Sequence, residues 1–274
     1  MKEKKVSVIV CTLNSGKHLR EVLTYIKNTN PFEIIVVDGG SKDDTLFIAQ
    51  NHGCAIVYDE GKGLGNARNI GLKSASGDYV LYVGPDNNLC GVKDYYNLII
   101  SQLIKNKWAG IGLRSMEYND INKPIDRYLS LGSDLRWRNK IKPGECNVIG
   151  TPFLFKRTLL KKYKFNTELK ASDDTELCER MRKDGLKVGY TEKVMCLDIW
   201  MGIKALINRF KLYGKSDREY FLQHYKEWGI MRRIKSILHP MSEFKMIRSW
   251  KDIKYIPFVL FIVFWRYKGY AKKY

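Results

Sequence analysis

Three clusters of small polar residues stand at the ends of short apolar runs. Thr12 and Asn14 follow the run from Val6, Asp38 with Gly39, Gly40 and Ser41 closes Glu33 to Asp38, and Asp86 with Asn87 and Asn88 follows Tyr79 to Val83. Any one of them alone is ordinary turn or helix-cap chemistry. Three at the same ends of parallel strands should face one ligand crevice. The segment Gly61 to Gly71 (GKGLGNARNIG) has the spacing of a phosphate-cradling glycine loop. It lacks the Lys-Ser or Lys-Thr end of a P-loop and does not follow the first strand, so the glycines alone say little. Arg68 inside it says more, because a guanidinium can hold a diphosphate in two-pronged fashion. Asp173 and Asp174 stand ahead of Glu176 and Arg180; such a pair either caps a helix against its dipole or supplies a carboxylate that takes a proton.

The elements that must position these residues follow from hydrophobic pattern. Val6 to Thr12, Glu33 to Asp38, Cys54 to Asp59 and Tyr79 to Val83 are continuous Val- and Ile-rich runs, the pattern of strands buried on both faces. Leu19, Val22, Leu23 and Ile26 recur at i, i+3, i+4, i+7, a helix stripe, and Asp44 to Asn51 can form another helix. Strand, helix, strand, helix predicts a parallel, doubly wound α/β sheet. Beyond residue 90 the pattern predicts a helix over Val92 to Asn106 and extended chain over Trp108 to Leu113 and Val148 to Phe155. It predicts a helix over Asp173 to Lys183 and loop over residues 115 to 147.

A chain of 274 residues, 45% hydrophobic, can bury a full core. Its six cysteines show no CxxC spacing, which suits reduced thiols better than zinc or disulfides. The apolar run Val6 to Val10 is too short for a signal peptide and reads as a first strand. The formal charge of +19 calls for an anionic partner: nucleic acid, phosphorylated metabolite or acidic membrane surface. Residues 199 to 274 hold 17 basic and 5 acidic side chains, so +12 lies there and +7 in residues 1 to 198.

That charged C-terminal region carries two amphipathic stripes. Ile203, Leu206, Ile207 and Phe210 form the first, and Ile230, Ile234, Ile237 and Leu238 the second, beside Arg232, Arg233 and Lys235. The composition suits either an anionic membrane surface or helices docked on the rest of the chain. Ile256 to Trp265 is the most apolar stretch. As a helix, ten residues cover roughly half of a ~30 Å hydrocarbon core, so an interfacial or re-entrant anchor is expected rather than a span, with a buried helix as the other possibility.

In order and spacing, VSVIVCTLN, IIVVDGGSKDDT, GLGNARNIGLKSASGDYVLYVGPDN and SDDTELCERMRKDG resemble glycosyltransferase family 2, inverting nucleotide-sugar enzymes of the GT-A fold. The resemblance covers about residues 5 to 195. It implies a GT-A catalytic domain over 1–198, with a nucleotide-sugar half to about 90 and an acceptor half from 91, followed by a basic helical extension over 199–274. It implies that Thr12 and Asn14 line the nucleotide pocket, that Asp38 meets the base of a nucleotide such as uridine, and that Arg68, with the backbone near Gly65, lies against base or diphosphate. The family's metal-binding DxD falls on Gly84, Pro85 and Asp86 here, so the first carboxylate is missing. Asp86 would hold Mg²⁺ or Mn²⁺, with Asn87 as a neutral oxygen donor. Asp174 would be the catalytic base, with Asp173 in support.

The expected partners are a nucleotide-diphosphate sugar, a glycan or lipid-linked acceptor and the cytosolic face of an anionic membrane. Nucleic acid is not expected. Two other functions fit parts of the sequence. A polyprenyl-phosphate sugar synthase would use an already anionic acceptor and need no strong base. A noncatalytic nucleotide- or nucleic-acid-binding module would account for the GPD departure and the basic tail, but RNA-module aromatic motifs are missing.

Overall fold

The computed structural model describes residues 4–90, 92, 94–117, 121–140, 142–169 and 172–271. In chain order the first elements are β1 (Val6–Thr12), α1 (Gly16–Asn28), β2 (Glu33–Asp38), α2 (Thr45–Asn51), β3 (Ala55–Tyr58), α3 (Leu64–Ser74), β4 (Tyr79–Val83) and β5 (Asn87–Leu89). There follow α4 (Tyr95–Lys105), β6 (Gly110–Glu117), α5 (Pro124–Lys140), β7 (Gly144–Cys146), β8 (Phe153–Lys156), α6 (Arg157–Tyr163), α7 (Asp173–Lys183) and β9 (Val188–Asp198). The last are α8 (Ile203–His224), α9 (Ile230–Ile237), two 3₁₀ stretches (His239–Met246 and Trp250–Tyr255) and α10 (Ile256–Ala271).

The chain divides into two compact units. The first comprises residues 1–116, 142–168 and 173–199, and is built on one mixed sheet of order β3-β2-β1-β4-β8-β6-β9-β5, with β7 added beside β9. β3, β2, β1 and β4 are mutually parallel, as the alternating pattern predicts. β8 then joins β4 antiparallel, and β5 joins β9 antiparallel. Val8, Val10, Val36 and Leu81 are buried with Leu19, Val22, Leu23 and Ile26 of α1 in one core cluster. The parallel register sets Thr12 directly beside Asp38 and Val10 beside Val83, so the polar clusters emerge together.

The second unit comprises residues 117–141, 169–172 and 200–274. Its core joins Leu129 and Leu135 of α5, Leu206 and Phe210 of α8 and Phe258, Val259, Ile262 and Val263 of α10. Gly214 and Gly269 let α8 and α10 approach closely: a Cβ on Gly214 would strike the Arg266 carbonyl, and one on Gly269 the Lys211 carbonyl. Arg266 is buried beside them. It forms two hydrogen bonds to Asp217, at 2.6 and 2.9 Å, and one of 2.6 Å to the buried Glu243, which Arg136 also meets from α5.

Three expectations need correction here. Residues 115 to 147 are not a loop: β6 runs to Glu117, α5 occupies Pro124–Lys140 and β7 occupies Gly144–Cys146. The stretch Val148 to Phe155 is extended strand only from Phe153, because Pro152 has no N–H to give to a ladder. The apolar run Ile256 to Trp265, expected as an interfacial anchor, turns one face into the core of its own unit, leaving Leu260 and Phe264 exposed. No described helix is long and apolar enough to cross a membrane.

Candidate active site

At the ends of β1 and β2 the predicted residues meet, and they meet chiefly each other. Asp38 is fully buried; its Oδ2 accepts the N–H groups of Gly40 and Ser41 at 2.9 and 2.8 Å, and its Oδ1 accepts the Ser41 hydroxyl at 2.5 Å. Thr12 leans on the same carboxylate at 3.4 Å. Asn14, in the left-handed region at φ 50°, accepts the Lys42 N–H through its side-chain oxygen and gives its own N–H to Ser41. These side chains fix the two loops against one another. Asp59 at the end of β3 belongs to the same group: it is buried, gives its N–H to the Asp38 carbonyl and accepts the Gly61 N–H. Sequence reasoning missed it, although the Asp-x-Gly after a Val-rich strand was a usable signal.

Gly65 sits in the first turn of α3 and is buried; a Cβ there would strike the Asn166 carbonyl. Arg68, one turn further, does not open onto the crevice. It is 4% exposed, with one nitrogen 2.7 Å from Asp173 Oδ2 and another 2.7 Å from the Thr151 hydroxyl. Its guanidinium carbon lies 5.0 Å from the Phe153 ring centre and 5.3 Å from that of Phe165. Thr151 was not foreseen, and with 83 residues between it and Arg68 no local pattern could have marked it.

Asp173 is 1% exposed and its second oxygen has no hydrogen-bond partner. Asp174 follows at the start of α7, half-buried, with Oδ1 accepting the Thr175 N–H at 2.7 Å. Burial pushes the Asp174 carboxyl up to about 6, Arg68 pulls it back down and Asp173 adds to the rise. A carboxyl so placed can exchange a proton in the mildly acidic to neutral range.

The β4–β5 turn explains the missing first carboxylate. The Gly84 N–H is bonded to Asn87 Oδ1 at 2.9 Å, and the Asn87 N–H returns to the Gly84 carbonyl. A Cβ on Gly84 would lie 2.6 Å from both Asn87 Oδ1 and Asp86 Oδ1. Asn87 also donates to Asp198 at 2.5 Å. The side-chain oxygen expected to assist a metal is therefore engaged within the turn. Asp86 is half-buried, and His18 of α1 lies within its electrostatic reach. Among the described residues no three His, Cys, Asp or Glu side chains gather into a metal-holding group.

The family model for glycosyl transferase family 2 matches residues 7–164. An uncharacterized glycosyltransferase of Rickettsia typhi is 29% identical over 185 residues, 63% of this chain and 57% of that protein, so the chain spans little more than half the relative's length. A mannosyltransferase of Pyrobaculum calidifontis, solved with GDP-Man and Mn²⁺, superposes with a TM-score of 0.65 at 17% identity over 98% of this chain and 86% of that one. The Staphylococcus aureus protein TarS, residues 1–349 with UDP-GlcNAc, superposes at 0.56 with 16% identity over 97% and 82%. The sheet order and these superpositions bear out the GT-A expectation for the fold.

Proposed function

The chain belongs to glycosyl transferase family 2, and from that premise we propose that it is an inverting glycosyltransferase with Asp174 as its base. The donor is a nucleotide-diphosphate sugar, and the acceptor is a hydroxyl of a lipid-linked or cell-surface glycan, met at the cytosolic face of an anionic membrane. The observation that carries the assignment is the raised, half-buried carboxyl of Asp174 beside the buried Arg68–Asp173 pair. In the displacement the acceptor oxygen bonds to the anomeric carbon as its proton passes to Asp174. The bond from that carbon to the diphosphate oxygen breaks, and its electron pair leaves with the nucleotide diphosphate.

Asp86 fits a divalent cation as a single protein carboxylate, with the donor's phosphates as further ligands, a common arrangement for Mg²⁺. When bound, such a cation neutralises charge on the departing diphosphate. The β1 and β2 loops, tied through Asp38, Thr12 and Asn14, form the floor for the nucleotide. Arg68 acts on the base through Asp173 and does not contact the diphosphate.

A thermal-shift panel of UDP- and GDP-sugars, with and without Mn²⁺, tests donor and metal together. A matching donor at a hundredfold excess over its Kd is expected to stabilise the protein by about 2.7 kcal/mol. Absence of any shift, with no transfer or hydrolysis, would overturn the donor reading. Asp86→Ala should lose the Mn²⁺-dependent part of the shift; if it responds like wild type, with and without EDTA, Asp86 holds no metal.

A further inference from the structure

The membrane reading of the C-terminal region offered three candidate segments, and α10, the most apolar of them, has one face in its own core. α9 differs from every other helix in that unit, because none of its residues is buried. Ile230 and Met231 are 73% and 66% exposed, and Ile234, Ile237, Leu238 and Met241 remain at least 41% exposed. At 100° per residue the five from Ile230 to Leu238 fall within an arc of about 120°, with Arg232, Arg233, Lys235 and Ser236 on the remainder. The amphipathic pattern is thus complete in sequence and has no cover within its unit.

The charge around this face selects the partner. Between Trp228 and Ser242 there is no acidic residue, and three basic side chains border the apolar arc. Two of these bases are steadied by aromatic rings: Arg232 lies 4.6 Å over Trp228 and Arg233 3.9 Å over Tyr225. A short helix with a wide apolar arc and a basic border is suited to the headgroup boundary of a bilayer, where its apolar side chains enter the acyl edge and its cations meet anionic lipid.

We propose that the exposed face of α9, continued by Leu238 and Met241, is the surface through which this chain docks on anionic lipid. The inference rests on the membrane reading above and gives that reading a location. α10 then serves as the internal support of the unit, and the docking helix is the less hydrophobic of the two.

The test is co-sedimentation of the full chain with phosphatidylcholine vesicles, with and without phosphatidylglycerol. Wild type should bind only the anionic vesicles and be released by salt. The triple change Ile230→Gln, Ile234→Gln, Leu238→Gln should weaken binding at least tenfold with an unchanged melting temperature, since none of these side chains is buried. Neutralising Arg232, Arg233 and Lys235 to Gln should weaken it roughly 100-fold. The control Leu260→Gln, Phe264→Gln on the exposed side of α10 should bind as wild type does. If wild type ignores anionic vesicles, the membrane reading and this assignment fall together. If wild type binds and the α9 triple variant binds equally well, only the assignment falls. If that variant instead converts a dimer to monomer in sedimentation velocity, with vesicle binding unchanged, the face belongs to a second copy and the proposal is overturned.

Discussion

Asp174→Asn is expected to lower sugar transfer by roughly 10²–10⁴-fold while donor binding survives, because the amide keeps the shape and loses the proton acceptor. In the wild type the same carboxyl should govern the acid limb of the pH profile. Transfer should rise with pH up to about 6 and then level, since only the ionised form accepts a proton. Stability should move the opposite way. A carboxyl whose folded pKa is raised from 3.8 to about 6 binds its proton more tightly when folded. Its contribution therefore falls as pH climbs from about 4 to about 6 and stays lost above that. Asp174→Asn removes this cost, so the variant should be more stable than wild type at pH 7, by roughly 1–3 kcal/mol, and show no such gain at pH 4. Inactivity accompanied by stabilisation separates a base from a structural residue. Wild-type transfer rates in the variant would dismiss the assignment.

Arg68→Ala should be costly for a different reason. It leaves Asp173, 1% exposed, as a buried carboxylate that has lost its one hydrogen bond among the described residues. Breaking a buried pair from one side typically costs about 3–5 kcal/mol, roughly 6–20 °C in melting temperature for a domain of this size. Removing both partners, as in Arg68→Met with Asp173→Leu, should recover most of that loss. The groups facing Asp174 through this region are Arg68, Asp173, Thr175, Cys178 and Tyr190. Arg68 is the one whose charge favours ionisation of the base, so its loss should carry the acid limb of the pH profile upward. A diphosphate ligand would behave otherwise. Arg68→Lys would then raise the donor KM and leave melting temperature and pH profile alone, and that result would return Arg68 to the donor.

The first half of the sheet was legible because its strands are buried on both faces and therefore read as unbroken Val and Ile. α1 was legible because its apolar stripe is complete, and α7 has the predicted bounds, Asp173–Lys183. α5 was not, since its inward side is interrupted by the buried Ser130, Ser133 and Asp134, and by Gly132, whose missing side chain admits the Phe258 ring. Pro124 at its first position was the available start signal. The strand-end residues could be named from sequence, but how far they satisfy each other could not. Asp38 looks the same in one dimension whether its oxygens face a ligand or its own loop. The partnership of Arg68 with Asp173 spans 105 residues and leaves no local trace. α10 read as an anchor because the side chains that cover its apolar face, Leu206 and Phe210 of α8 and Leu129 and Leu135 of α5, stand far from it in the chain.

The turn at Gly84 couples the departure from DxD to the residues that follow it. Gly84→Asp, the substitution that would restore the lost letter, sets its Cβ against Asn87 and Asp86 and evicts the amide that ties the turn to Asp198. Shortening Asn87 first would clear the space and surrender that tie. The two positions are therefore epistatic: a side chain at position 84 enters as the Asn87 amide gives way, so the effect of restoring a carboxylate there depends on what stands at position 87.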